Sequence, residues 1–254
     1  MNLRMRQICL VARELSPVVE VFRDVFGLEA CHRDPGVGKY GLENALFSIG
    51  NGFLEVVAPV RDGTTAGRYL ERRGGDGGYM VITQCGDLAP RRQRCDTLGV
   101  RVANEIRYPD YQELQLHPRD VGAAMLSFSR QQAGEPADGP WHPAASRSTS
   151  AFSTASVRSM TGAELQSDDP ERLARRWSEV MELPLSRDGR SRPIIALDDA
   201  KLRFVPATDG RGEGLAGLDL ACVDKAGALV RARARGLSTT GDVVVACGMR
   251  FYLI

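Results

Sequence analysis

Three histidines and six cysteines are the side chains of this 254-residue sequence most suited to metal or nucleophilic chemistry, and their placement restricts both. Cys9, Cys31, Cys85, Cys95, Cys222 and Cys247 never form a C-x-x-C pair. Most sit inside apolar runs, where a thiol behaves as a small buried hydrophobe, so free thiols in a reducing cytoplasm are expected. His32 follows the first helical segment on a short strand. It is a candidate catalytic proton carrier if it faces a cleft, and an ordinary strand-edge residue if it does not. His117 precedes Pro118 in a turn and reads as structural. His142 and Trp141 lie in a stretch rich in Pro, Gly and Ser, from which they could dock on a domain surface. Tyr40, Tyr79 and Tyr111 are candidates for an aromatic wall or for packing. The run "RRGGDGGYM", residues 72–80, has the glycines of a phosphate loop but not its Lys-Ser/Thr, and a strand rather than a helix follows. It reads as a mobile connector.

The 33 basic and 32 acidic residues nearly cancel, which argues against a dedicated nucleic-acid binder. The local exceptions, "RRQR" at Arg91–Arg94 and "RARARG" at Arg231–Gly236, read as solvated helix faces. A 43% hydrophobic and 26% charged composition fits an ordinary globular chain, long enough for one large or two ordinary domains. The first apolar run is too short for a signal peptide, and no stretch approaches a membrane span. Neither nucleic acid nor membrane is expected as a partner.

The elements that would position these residues repeat along the chain. Gln7–Ala12 reads as a strand, followed by a helix with Pro17 near its start and Val18, Val21, Phe22 and Val25 at helical spacing. Gly27 supplies a stop. A strand over Leu28–Arg33 follows, then "ALFSIG" and "FLEVVAP" around the turn signal Asn51–Gly52. The pattern restarts at "YMVITQCGDLAPRRQRCDTLGV", where Leu15 matches Leu88 and Pro17 matches Pro90, and ends in "YQELQLHP" and "AAMLSFS". A third copy, "TGAELQSDDPERLARRWSEVMELPL", offers Asp169 as N-cap, Pro170 at the first helical position, and an apolar stripe of Leu173, Trp177 and Val180. The fourth, "GLDLACVDKAGALVRARARGL", places Asp224 opposite Asp87 and Gly236 opposite Gly99. It is short enough to lack a strand. Between copies two and three, Gln131–Ser156 has no sustained period and reads as a linker. The expected organisation is therefore residues 1–130, a linker at 131–156, and residues 157–254, two modules in each half. The implied fold class is α+β: strand-helix-strands (βαβββ) modules paired into two curved antiparallel sheets.

"QICLVARELSPVVEVFRDVFGLEA" resembles the opening of vicinal oxygen chelate proteins, the superfamily of glyoxalases, bleomycin-resistance proteins and extradiol dioxygenases. "LHPRDVGAAMLSF", Leu116–Phe128, is similar to the corresponding stretch of the methylmalonyl-CoA epimerase branch. The resemblance covers nearly the whole chain and implies cupped, glyoxalase-like sheets with a ligand cleft. In metal-dependent members it implies His, Glu or Gln ligands on the first and last strands of paired modules. Carried over, those positions are Gln7, Glu55, Met80 and Ser127 in the first half and Gly162, Arg203, Gly217 and Tyr252 in the second. Only Gln7 and Glu55 keep oxygen donors suited to a hard divalent ion, since Met80 is a soft thioether and Ser127 a weak neutral ligand. Arg203 is itself a cation.

The resemblance with those substitutions implies a cytoplasmic protein, monomer or homodimer, that binds a small organic molecule with no cofactor and no catalytic metal. Gln7, Met80, Ser127, Arg203 and Tyr252 are its expected ligand-binding residues. Arg203 and Tyr252 would take an anionic or phenolic group, or else Arg203 forms an ion pair across modules. Glu55 is the candidate general base of a metal-independent lyase or isomerase, or a hydrogen-bonded orienting group with Gln7 as partner. The alternatives are a divalent-metal-dependent isomerase, epimerase or dioxygenase of the same superfamily, and a non-catalytic interaction scaffold with filled clefts.

Overall fold

A computed structural model describes residues 3–132, 139–144 and 156–254. Much of the expected linker, at 133–138 and 145–155, lies outside the described residues. The first module comprises β1 (Arg4–Val11), α1 (Leu15–Phe26), β2 (Ala30–His32), β3 (Leu42–Ile49) and β4 (Gly52–Pro59), with a 3-10 turn over Pro35–Tyr40 before β3. A connecting helix, α2 (Thr65–Arg73), leads to β5 (Gly77–Gln84), α3 (Ala89–Thr97), β6 (Val102–Arg107), β7 (Tyr111–Leu116), the one-turn α4 (Pro118–Val121) and β8 (Met125–Gln131). The third module is β9 (Val157–Ser167), α5 (Pro170–Met181), β10 (Leu185–Arg187), β11 (Pro193–Ala196) and β12 (Lys201–Pro206). The fourth is β13 (Gly214–Cys222), α6 (Lys225–Ala234), β14 (Thr239–Thr240), β15 (Val243–Ala246) and β16 (Met249–Leu253). The fourth module thus keeps all four strands; it is short because β14 has shrunk to two residues.

Each half forms one eight-stranded sheet, in the orders β2-β3-β4-β1-β5-β8-β7-β6 and β10-β11-β12-β9-β13-β16-β15-β14. Within a module the first strand runs parallel to the last, and modules join where their first strands pair antiparallel, β1 on β5 and β9 on β13. The helices follow their sequence signals. Gly27 ends α1 at φ 65°, a left-handed conformation that costs a glycine little; its N–H returns to the Arg23 carbonyl at 2.9 Å and the Leu28 N–H to that of Phe22 at 3.1 Å. Asp169 accepts from the Arg172 N–H at 2.9 Å and Asp224 from that of Gly227 at 2.8 Å, so both serve as N-caps.

The helix-bearing sides of both sheets meet in one hydrophobic core. It runs from Ile8, Leu10, Phe22 and Phe47 through Leu126 and Phe128 to Leu165, Trp177, Phe204 and Phe251. The rings of Phe22 and Phe26 lie 5.6 and 5.1 Å from that of Phe251. Arginines of the even modules cap helices of the odd ones. Arg91 donates to the Met181 carbonyl at 2.9 Å, Arg94 to Glu179 at 2.8 Å, and Arg231 to Val25 at 3.2 Å. The "RRQR" and "RARARG" runs are therefore not simply solvated faces. They satisfy last-turn carbonyls that would otherwise lack partners.

The glycine-rich connector is also pinned rather than mobile. Arg73 donates to the carbonyls of Arg211, Gly212 and Glu213, while Arg211 donates to those of Arg73, Gly75, Asp76 and Gly248. Gly78 is needed because a Cβ there would collide with Leu215 of the second half. No helix among the described residues is long and apolar enough to cross a membrane.

Candidate functional site

Strand alternation sends one set of side chains of the first sheet to the helical core and the other to its open, concave side. On β1 the outward set is Gln7, Cys9 and Val11, on β4 it is Phe53, Glu55 and Val57, and on β5 it is Met80 and Ile82. On β7 the same face carries Tyr111, Glu113 and Gln115, and on β3 it carries Asn44. These strands enclose a cavity of about 540 Å³, within the range of small-molecule sites. Its walls include Tyr79, Met80, Ile82, Ile106, Tyr108 and Met125, and Lys39, Arg61 and Asn104 also border it.

The linker closes one side. Trp141 is fully buried, with its ring 5.4 Å from Tyr111 and the Arg6 guanidinium 5.3 Å above it. His142 stacks on Tyr111 at 4.8 Å and lines the cavity. Burial lowers the His142 pKa below the usual histidine value, so it stays neutral further into acid.

Two carboxyl groups line the cavity, one on β4 and one on β7. Glu55 accepts from Gln7 Nε2 at 2.8 Å and from Asn44 Nδ2 at 2.7 Å. Glu113 is partnered by Ser127 Oγ at 2.6 Å and the Tyr111 hydroxyl at 3.0 Å. Burial raises both pKa values above the ordinary carboxyl range, against hydrogen bonds that pull them down. The thiol of Cys9, on β1 beside them, is pushed up strongly, first by burial and then by the Glu55 charge. It is a poor nucleophile there.

Of the sequence candidates, the structure gathers Gln7, Glu55 and Met80 on the cavity wall. Ser127 lies just beneath it, fully buried against Glu113. His32 is partly exposed on the edge strand β2 and is not among the lining residues. His117 caps α4, accepting from the Arg119 N–H at 3.2 Å. Among the described residues no three His, Cys, Asp or Glu side chains gather as a metal-ligand group.

Arg203 and Tyr252 sit apart from this cavity, on the concave side of the second sheet, where charged groups neutralise one another. Arg203 holds Asp219 through two bonds of 2.8 and 2.9 Å and Glu164 at 3.0 Å. Arg250 and the Tyr252 hydroxyl also reach Glu164, at 2.9 and 2.7 Å. Arg203, Arg250 and the Tyr252 hydroxyl are thus committed to carboxylates. The ion pair across modules, rather than an open anion site, is what Arg203 makes.

Sequence reasoning missed Glu113 and Asn44. Glu113 lies in the alternation Tyr111-x-Glu113-x-Gln115, a pattern shared by the solvated face of any antiparallel strand. The available signal was the polar alternation Ser127-x-Ser129 on the neighbouring strand, which gives that face hydroxyl partners rather than water.

No family model and no curated protein matches this sequence. Among solved structures, a hypothetical protein from Staphylococcus aureus is 12% identical and aligns over 99% of this chain and 98% of its own, with a TM-score of 0.67. A methylmalonyl-CoA epimerase of Streptomyces coelicolor, in complex with 2-nitronate-propionyl-CoA, is 22% identical over 51% of this chain and 98% of its own, TM-score 0.46. A methylmalonyl-CoA epimerase from Mycobacterium tuberculosis is 19% identical over 50% and 87%, TM-score 0.44. Four βαβββ modules, paired through their first strands into two cupped eight-stranded sheets, are the vicinal oxygen chelate fold, and this chain carries it in both halves.

Proposed function

We propose that this protein binds a small organic molecule in the cavity of its first sheet and that Glu55 acts there as a general base, in a lyase or isomerase reaction that uses no metal. The observation that carries this reading is Glu55 itself: a buried carboxylate on the cavity wall, its pKa raised by desolvation toward neutrality, as proton abstraction requires. The surrounding Tyr79, Tyr108, Tyr111 and His142 suit an aromatic or acyl body. The second sheet, with its cationic groups committed to carboxylates, serves as structural support.

The donor set at the positions where the family places metal ligands does not fit a divalent ion. Gln7 presents its amide N–H to Glu55 and gives its oxygen to the Trp141 indole at 2.9 Å. Glu55 already receives two N–H groups, Ser127 engages Glu113, and Met80 offers sulfur. These groups are already engaged in four buried hydrogen bonds, which an ion would have to displace.

The test is a thermal-shift screen of aromatic and acyl compounds, followed by solvent-deuterium exchange on the ligands found. A stabilising ligand whose carbon-bound hydrogen exchanges with wild type but not with Glu55→Gln supports the reading. If no compound raises the melting temperature, or protein purified without chelator carries stoichiometric metal that Glu55→Gln removes, the reading falls.

A further inference from the structure

The two carboxyl groups of the cavity differ in the direction of the hydrogen bonds around them. Around Glu55 the directions of both amide partners are fixed by groups that can only donate. The Trp141 indole N–H occupies Gln7 Oε1, so Gln7 must turn its NH2 to Glu55. The backbone N–H of Asp34 occupies Asn44 Oδ1 at 2.8 Å, so Asn44 must do the same. Both oxygens of Glu55 therefore face amide donors, an arrangement that favours the carboxylate.

Glu113 is bonded by Ser127, Tyr111 and the Gln115 amide, and no donor-only group locks any of the three. Ser127 and Tyr111 are hydroxyl rotors, able to donate or accept, and beyond them lies a third, Ser129, 3.2 Å from the Tyr111 oxygen. The neighbouring amide, Gln115, gives its oxygen to Asn104 at 2.9 Å, and Asn104 ends on the Tyr40 hydroxyl at 3.1 Å, another rotor. The whole chain can reverse, so a proton on Glu113 costs no buried hydrogen bond.

Strand registers give the asymmetry an origin. Val57 pairs with Asn44 in module one as Ser129 pairs with Glu113 in module two, so Asn44 and Glu113 hold equivalent positions, as do Glu55 and Ser127. Module one puts the carboxyl on its last strand and an amide on the third. Module two puts the carboxyl on the third strand and a hydroxyl on the last. In the sheet order the two carboxyl-bearing strands, β4 and β7, are separated by β1, β5 and β8, so the groups approach the cavity from opposite sides of the cup.

We infer that Glu113 is held as a neutral carboxylic acid that hydrogen-bonds the carbonyl oxygen of the ligand, opposite a Glu55 carboxylate that takes the proton from the adjacent carbon. This rests on the function proposed above and names its substrate class: a carbonyl compound bearing a hydrogen on the neighbouring carbon. Glu55 removes that hydrogen as a proton, and the C–H electron pair becomes the new carbon–carbon double bond. The carbonyl π pair moves to oxygen, which takes the Glu113 proton. The products are a neutral enol, Glu55 as acid and Glu113 as carboxylate. Delivery of the Glu55 proton to a different face or position, with the enol proton returned to Glu113, yields the isomer and restores both groups. A neutral acid in an apolar site thereby supplies the electrophile that an ion would otherwise provide.

Infrared difference spectroscopy in light and heavy water tests the protonation assignment on the ligand-free protein at neutral pH. The carbonyl band of a buried protonated carboxylic acid, which shifts on deuteration, should be present in wild type and in Glu55→Gln and absent from Glu113→Gln. Glu113→Asp should move the band rather than delete it, which separates a lost group from a disturbed fold. A band that survives Glu113→Gln, or is missing from wild type, overturns the inference. Acetophenone and α-methylstyrene, the same shape with CH2 for the carbonyl oxygen, then test the contact. Stronger stabilisation by the ketone, lost in Glu113→Leu, is expected. Equal stabilisation by both overturns the role of Glu113 while leaving the cavity a binding site; no stabilisation by either counts against the binding reading, and the infrared result still decides the proton.

Discussion

The indole nitrogen of Trp141 donates to the side-chain oxygen of Gln7 at 2.9 Å, joining residues 134 positions apart and fixing the amide that holds Glu55. A segment of the linker thereby becomes part of the cavity wall. Trp141→Phe keeps most of the ring contact but removes the donor, leaving Gln7 Oε1 buried without its N–H. A loss of about 1–3 kcal/mol is expected from one unsatisfied buried acceptor, measured by urea unfolding. Trp141→Ala, which also empties a fully buried volume, should cost about 3–5 kcal/mol. Near-identical losses for the two substitutions would show that the hydrogen bond, not the ring, dominates.

The raised carboxyl pKa values set a pH dependence whose sign follows from linkage. Between the unfolded value, about 4.3, and the higher folded value, the native state holds a proton that the unfolded chain has released, so each group makes stability fall as pH rises. Replacing either by Gln removes that slope. The stability of Glu55→Gln and Glu113→Gln relative to wild type should therefore improve as pH climbs from about 4.3. The gain should level off earlier for Glu55, which amides hold as an anion, than for Glu113. Surface carboxylates such as Asp188, lowered to about 2 by Arg192, push the other way but are common to all three proteins and cancel in the difference. Urea midpoints across this pH range check it; parallel curves for variant and wild type would contradict it.

The modular repeat was legible because its punctuation is local. Gly27, Gly99 and Gly236 match along the sequence because each adopts a left-handed conformation after its helix, with φ of 65°, 64° and 72°. Asp169, the expected N-cap, caps α5, and Asp224, matched to Asp87 along the sequence, caps α6. Gln7, Glu55 and Met80 reached the cavity wall because strand periodicity fixes which face a side chain occupies once its register is known. What escaped depends on contacts between distant segments. Nothing near Trp141 reveals that it meets Gln7, and the arginines of "RRQR" and "RARARG" look solvated until the opposite helix supplies carbonyls. Glu113 reads as surface until Tyr111 and Ser127 cover it. His32 illustrates the converse: its type suggested chemistry, but a three-residue edge strand leaves it outside the cavity lining.

The charged cluster of the second sheet should matter to folding and not to the ligand. Arg203 is mostly buried between Glu164 and Asp219, whose attraction raises its pKa further despite desolvation. Arg203→Leu leaves two buried carboxylates with one cationic partner fewer. A cost of about 3–5 kcal/mol is expected, the usual loss when one member of a buried ion pair is removed. Any ligand found for the first-sheet cavity should bind this variant as it binds wild type when measured by calorimetry below its unfolding range. A large loss of affinity would place the second concave face in the binding site.

The two tryptophans allow the joint core to be tested directly, because Trp141 reports on the first sheet's cavity and Trp177 on α5 of the second half. Phe22 and Phe26 of α1 pack on Phe251 of β16, and α3 is capped onto α5 by Arg91 and Arg94, so neither sheet buries its helical side alone. Denaturant unfolding followed by fluorescence in Trp141→Phe and in Trp177→Phe should therefore superimpose on far-ultraviolet circular dichroism of the same variant, as one cooperative transition. Phe251→Ala, in the second half, should lower stability by about 3–5 kcal/mol, and the signal of Trp141 in the first half should shift with it. If Trp141 fluorescence keeps its wild-type midpoint while Trp177 fluorescence moves, the halves unfold separately and the shared core does not couple them. With coupling, the loss at Phe251 also reaches the Trp141–Gln7 hydrogen bond, and a site confined to the first sheet depends on the packing of the second.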